Sequence, residues 1–244
     1  MSLPVVSARI YAFICTRYRE GMESTEDFNP TLKNLCSYLS RAGAQVNILI
    51  GENSIFEAYS KAFNKVKPSD QDIIILCHDD IEILNDVKTF STLLREEFKN
   101  LTTGFVGVAG SKTLTRDAVW WTRENFENRQ LHGIVFHGES KESMVPSYYG
   151  DFYGKVIAMD GLFLAARAST LREIGLKKPK EYPGEWDFYD IYYTTEAWKK
   201  GYTNKVLPIL VRHESKGESM YTRDSWDKNR EIFIRNNKLP LRCS

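Results

Sequence analysis

The chain has 244 residues, enough for one large α/β domain or one domain with an appended subdomain. It is 42% hydrophobic and 27% charged, and 33 Lys and Arg against 32 Asp and Glu leave a net charge of +1. That balance lacks the basic excess of a nucleic-acid binder, no run of about 18 apolar residues offers a membrane span, and the N-terminal apolar run around Arg9 is too short for a signal peptide. The four cysteines, Cys15, Cys36, Cys77 and Cys243, form no C-x-x-C pair, so a zinc site is not expected. Reduced thiols fit a cytoplasmic protein, with peripheral attachment to a membrane left open.

"IYAFICTRY", Ile10 to Tyr18, reads as a buried strand with a polar end at Thr16-Arg17. "PTLKNLCSYLSRAG" places Leu32, Leu35, Cys36 and Leu39 at helical spacing, with Pro30 at its start and Gly43 at its end. "VNILIGENS" is a second strand. "SIFEAYSKAFNKV" is a helix capped by Ser54, and "DIIILCHDD" is a third strand. Strand, helix, strand, helix, strand argues for parallel strands with helical crossovers. Each strand ends in polar residues: Thr16-Arg17-Tyr18, then Glu52-Asn53 after Gly51, then His78-Asp79-Asp80. Ligands bind beyond the carboxyl ends of strands in open α/β sheets, so the three ends together mark a site.

A helix follows over "DVKTFSTLLREEFKNL", then a strand over "GFVGVAGSK". From Thr113 to Gly154 the pattern loosens into a hairpin and aromatic loops. "KVIAMDGLFLAAR" is a buried strand interrupted at Asp160-Gly161. "ASTLREIGL" and "DIYYTTEAWKKG" are helices, "KVLPILVRHESKG" is a last strand, and "SWDKNREIFIRNNK" is a helical tail. The expected organisation is one domain over 1–219, in two halves near 8–112 and 113–219, and a helical tail over 220–244.

Several residues carry two readings. Asp79-Asp80 suits a hard divalent cation such as Mg²⁺ or Mn²⁺, or is an acidic loop start. His213 is a ligand or a satisfied loop histidine. Asp160 sits in a run too apolar for a lone charge, and Gly161 beside it implies a close backbone approach; a β-bulge is the alternative. Asp187 and Asp190 flank a helix start and are acids for catalysis or caps. Trp120, Trp121 and Trp186 are core or a platform for a sugar ring. "GSKT" lacks the G-K-[ST] of a phosphate-binding loop, and no G-x-G-x-x-G follows the first strand.

Taken in order, "LCHDDIEIL", "VAGSK", "VIAMDGLFLAAR" and "EWDFYDIYYTTEAWKKGYTNKVLPILVRHESKG" resemble the successive blocks of GT-A-fold glycosyltransferases, most closely the short bacterial family-2 type. The likeness runs from about Ile10 to Gly217. It implies a GT-A-type mixed, mostly parallel sheet flanked by helices and transfer from a nucleotide sugar, with UDP favoured. The implied acceptor is a hydroxyl on a glycan, a lipid-linked or a small molecule. It implies that Thr16, Arg17, Tyr18, Glu52, Asn53 and Ser54 bind the nucleoside part, and that His78 hydrogen-bonds ribose or phosphate. Asp80 is the implied ligand of Mn²⁺ or Mg²⁺, Asp79 helps bind the metal or the ribose, and His213 completes the shell near the diphosphate. Asp160-Gly161 faces the donor sugar or the acceptor. Asp190 is the implied general base, with Asp187 the fallback. Two departures stand out: His78 replaces the usual first Asp of D-x-D, and "GENS" lacks the common acidic doublet. A sugar-phosphate nucleotidyltransferase and a nucleotide-sugar-binding protein without transfer are the competing readings.

Overall fold

The computed structural model describes residues 8–16, 28–214 and 224–243. The first three apolar runs become β1 (Ile10–Thr16), β2 (Ala44–Ile50) and β3 (Ile73–His78), connected through α1 (Pro30–Arg41) and α2 (Ile55–Val66). They pair in parallel in the order β2-β1-β3. Local chemistry sets the helix starts: the Asn29 side chain accepts from the Leu32 N–H at 2.8 Å, and Ser54 caps α2 by accepting from the Glu57 N–H. Of the stripe expected on α1, Leu32, Leu35 and Leu39 are buried and Cys36 is half-buried, and α2 buries Ile55, Phe56, Ala58, Tyr59, Ala62 and Phe63.

The chain continues through β4 (Ile81–Ile83), α3 (Val87–Glu97), β5 (Thr103–Gly107), β6 (Ala109–Ser111), β7 (Thr113–Leu114) and α4 (Arg123–Glu127). Next come β8 (Leu131–His137), β9 (Val145–Tyr148), β10 (Gly154–Val156), β11 (Ala158–Met159) and β12 (Phe163–Arg167). The last elements are α5 (Ala168–Ile174), α6 (Tyr189–Lys199), β13 (Thr203–Val206), β14 (Val211–His213), α7 (Asp224–Asn236) and β15 (Leu241–Arg242).

The large sheet has the order β10-β13-β5-β12-β3-β1-β2, and a second sheet has the order β11-β6-β8-β14-β4, with β9 added antiparallel to β8. The large sheet is mixed, as expected. Within this sheet, among the described residues, parallel pairing is confined to β1 with β2 and β3, and to β5 with β13; β12 runs antiparallel to both β3 and β5, and β10 to β13. The parallel share is therefore smaller than the sequence suggests, because β12 returns against β3.

Three apolar runs read as single strands are each shared between the two sheets. Residues 103–111 divide at Val108 into β5 and β6, and 154–167 divide into β10, β11 and β12. The run 203–213 breaks at Leu207-Pro208, where proline has no N–H for a ladder. Asn85 closes this corner: its amide donates to the Pro208 carbonyl at 3.1 Å and its oxygen accepts from the Leu210 N–H at 2.7 Å.

The C-terminal helix shares the core of the rest. Trp226 and Phe233 of α7 are buried around Phe188, at ring distances of 5.5 and 5.3 Å. Burial of such a side chain is worth roughly 1.5–3 kcal/mol. Asn229, fully buried, accepts from the Gly184 N–H and donates to the Gly184 and Asp187 carbonyls. Those bonds fix the turn that launches α6. Phe188 enters that helix at φ +69 with no side-chain cap, a conformation non-glycine residues adopt only when their surroundings impose it.

Candidate active site

The site forms where four chain segments meet at the carboxyl end of β3. β12 runs antiparallel to β3, so its approach, the Asp160-Gly161 turn, lands beside His78, and the His78 N–H donates to the Leu162 carbonyl at 3.1 Å. β14 runs antiparallel to β4, which sets His213 opposite Ile81, and the Glu214 N–H donates to the Asp80 carbonyl at 2.9 Å. The start of α6 supplies the fourth segment. The Gly161 N–H donates to the Asp190 carboxylate at 3.0 Å, while the Tyr189 hydroxyl donates to the Gly161 carbonyl at 2.9 Å. The N–H and the carbonyl of one residue, Gly161, are thus both held by adjacent residues of one helix. A Cβ on Gly161 would lie 2.4 Å from the Tyr189 hydroxyl, so the close approach expected from the sequence is present.

His78, Asp80 and His213 each offer a ligand atom, and these atoms lie within 4.8 Å of one another. His213 Nε2 is 3.2 Å from one Asp80 oxygen and His78 Nδ1 is 3.8 Å from the other. That second oxygen, Oδ1, is buried and has no hydrogen-bond partner among the described residues. A buried carboxylate oxygen without a partner is costly, and a cation held by the three side chains would remove the cost. Two imidazoles and a carboxylate form an ordinary divalent set, so the residues fit a metal. Burial works against charge on Asp80 and His213 alike. The hydrogen bond and attraction between them outweigh it, lowering the Asp80 pKa and raising that of His213. For His78 burial dominates and lowers the pKa, which favours the neutral, ligating form.

Beside this triad stand two further carboxylates. Burial, and then the charge of Asp160, push the Asp190 carboxyl up to about 7, against the pull of the Ile191 and Gly161 N–H groups. The Asp160 charge also acts on His78, His213 and Tyr149, so Asp160 is near enough to bear on both the triad and Asp190. A carboxylate poised near neutrality suits proton abstraction from a hydroxyl.

The other candidates take varied places. Thr16 donates its hydroxyl proton to Asp79 at 2.5 Å, joining the ends of β1 and β3. Arg17 and Tyr18 lie outside the described residues. Glu52 pairs with Lys61 at 3.0 Å, Asn53 is exposed, and Ser54 caps α2 and donates to the Glu185 carbonyl. Asp187 is buried, its carboxylate accepts from Ser225 of α7 and its carbonyl accepts from Asn229 of the same helix. Trp120 is 1% exposed and packs against Trp121 and Tyr149, so its ring serves the core; Trp121 and Trp186 are half-buried.

Two residues make contacts at the site that the sequence did not assign to them. Tyr189, buried, links the two parts of the site, because His78 Nε2 lies 3.0 Å from its hydroxyl. His137 of β8 stands in parallel register with His213, with ring centroids 5.7 Å apart. The sequence offered only the alternation of "HGIVFH" for the histidine. Tyr189 was hidden among five aromatics in eight residues, Trp186 to Tyr193.

The mixed sheets flanked by helices are similar to the GT-A class of α/β fold. The chain belongs to the glycosyltransferase-like family, whose profile it matches over residues 24–237. No curated protein matches it in sequence. Its fold is similar to that of GalNAc-T7, in a crystal structure with UDP, GalNAc and Mn²⁺. The TM-score is 0.55 at 12% identity, over 93% of this chain and 48% of that one. The chain therefore spans about half the length of that relative, and at this identity the likeness is one of fold. A197 from STIV aligns over 85% of this chain and 82% of its own, with TM-score 0.41 and 15% identity. No described helix is long and apolar enough to cross a membrane.

Proposed function

We propose that this glycosyltransferase is metal-dependent, moves a sugar from a nucleotide sugar with UDP favoured as the nucleotide, and inverts the anomeric carbon. The observation that carries the reading is the meeting of His78, Asp80 and His213 with the Asp160-Asp190 pair on one Gly161 turn. Asp190 is the base: its carboxylate takes the proton of the acceptor hydroxyl as that oxygen bonds to the anomeric carbon. The bond from that carbon to the diphosphate oxygen breaks, and the nucleotide leaves with the electron pair. One base is enough for this direct displacement. Asp160 keeps Asp190 basic enough to accept the proton and faces the sugar or the acceptor. Thr16 and Asp79 form the edge that receives the ribose, with Glu52, Asn53 and Ser54 on the neighbouring strand end. A divalent cation held by His78, Asp80 and His213, Mn²⁺ in preference to Mg²⁺, supplies Lewis-acid compensation for diphosphate charge when bound. The acceptor is a hydroxyl of a glycan, a lipid-linked or a small molecule. This reading gives His78 and not Asp79 as the third metal ligand.

The test is a thermal-shift screen of nucleotide sugars with Mn²⁺, followed by measurement of nucleotide release from the best donor. Wild type releases nucleotide and Asp190→Asn does not. Equal release by the two proteins would reject Asp190 as the base, and no donor shifting the midpoint beyond Mn²⁺ alone would reject the nucleotide-sugar reading.

A further inference from the structure

His78 occupies a position where a carboxylate is the expected residue, and a histidine serves there only under a condition. A neutral imidazole has one bare nitrogen, and which nitrogen is bare depends on the hydrogen bond made by the other. Around His78 that bond is determined. Nε2 lies 3.0 Å from the Tyr189 hydroxyl, and the same hydroxyl lies 2.9 Å from the Gly161 carbonyl oxygen. A phenol carries one proton, and a carbonyl oxygen only accepts. Both contacts are satisfied in one pattern: Tyr189 donates to Gly161, and His78 donates to Tyr189 from a protonated Nε2. Nδ1 is then bare, and it faces the buried Asp80 oxygen that has no hydrogen-bond partner, 3.8 Å away.

The phenol is itself held in place. Tyr189 is 5% exposed, its ring meets Phe56, Tyr59 and Tyr193 edge-on, and it begins α6 immediately before Asp190. We propose that Tyr189 is a positioning residue that fixes the tautomer of His78, so that a histidine in place of the acid becomes a nitrogen ligand of the metal centre. The proposal rests on reading His78, Asp80 and His213 as that centre. It carries a consequence for the ion. Imidazole nitrogens favour first-row transition ions, whereas Mg²⁺ seeks oxygen. The tautomer lock therefore belongs to the site's preference for Mn²⁺ over Mg²⁺, and Tyr189 ties that preference to the helix bearing the base.

Tyr189→Phe removes the hydroxyl and keeps the ring. The full chain is titrated with Mn²⁺ alone, and unbound ion is read by electron paramagnetic resonance, with Mg²⁺ as competitor. Wild type binds Mn²⁺, and Asp80→Ala and His213→Ala abolish binding. Tyr189→Phe weakens it about tenfold or more, the usual cost of losing an outer partner of a metal-bound histidine, and narrows the preference over Mg²⁺. If the Ala variants lose the ion while Tyr189→Phe keeps wild-type affinity and preference, the tautomer lock is wrong and the metal centre stands. If wild type itself binds no Mn²⁺, or the Ala variants bind as wild type does, the metal centre falls and the inference with it. A second measurement needs no variant to bind metal. Long-range ¹H–¹⁵N spectra of the metal-free wild type, with the His78 signal assigned by its loss in His78→Gln, show the Nε2-protonated form. Protonation at Nδ1 overturns the proposal.

Discussion

The two sides of the site are built in different ways. On the nucleotide side, β1, β2 and β3 each use one uninterrupted apolar run, and helices with local caps return the chain for the next strand. On the opposite side, runs 103–111, 154–167 and 203–213 are each divided between two sheets, and the functional groups arrive from β14, from the turn before β12 and from the start of α6. The first side follows from local rules. The second is held by a few long-range contacts: Gly161 with Asp190 and Tyr189, Asn85 with Pro208 and Leu210, and Asn229 with Gly184 and Asp187. Variants on the first side, and at His213 of the second, should change binding of the nucleotide or ion, and the other variants on the second side should change turnover or folding.

The largest effect is expected at Asp190. Asp190→Asn lowers turnover by about 10²–10⁴-fold, the usual contribution of a positioned base, while Mn²⁺-dependent nucleotide binding is kept. Loss of binding together with turnover would erase the division between the two sides. Asp187→Asn, in contrast, should reduce thermal stability through its Ser225 contact and leave the pH profile of turnover unchanged. A profile that shifts would return Asp187 to the chemistry.

Asp80→Ala and His213→Ala should each remove the extra thermal stabilisation that Mn²⁺ gives to UDP binding. The effect of UDP alone should survive, because Thr16 and Asp79 stay in place. Survival of the full metal effect in both variants would break the assignment of the metal to this end of β3. Asn229→Ala leaves the Gly184 N–H and two carbonyls without partners in the core. It should cost about 2 kcal/mol or more, read by denaturant unfolding. An unchanged unfolding midpoint would mean that α7 does not hold the α6 turn.

The smallest effect separates the sides by pH. A base with its carboxyl near about 7 makes turnover rise with pH through that value, and Asp160→Asn moves the midpoint down by removing a neighbouring negative charge. The stability effect has the opposite sign. A carboxyl raised above its unfolded value is stabilising only while protonated, so its contribution declines as pH rises from about 4 through about 7. Asp190→Asn should accordingly raise the thermal midpoint relative to wild type at pH 8 and less at pH 5. A variant equally stabilised at both would show that Asp190 is not strained by ionisation.

Much of this was legible before folding. The βαβαβ opening, the helix caps, the close approach at Gly161 and the candidates Asp80, Asp190 and His213 could be read because local sequence fixes a strand end or helix start within a few residues. What escaped was long-range pairing. "KVLPILVRHESKG" reads as one strand because apolarity does not reveal which sheet a segment joins; Pro208 carried that signal. Trp120 and Trp121 are indistinguishable in sequence, yet one is core and the other half-buried.

The sequence by itself determined the order of elements and the kinds of side chain available at the strand ends, since periodicity and capping are properties of neighbouring residues. Only the tertiary structure decided which of those side chains share a site. It set Asp80 beside two histidines, brought His78 Nε2 to the Tyr189 hydroxyl, and raised the Asp190 pKa through burial and the neighbouring Asp160. The physical reason is that charge, hydrogen bonding and burial act across space, so their outcome depends on contacts the chain makes after it has turned back on itself.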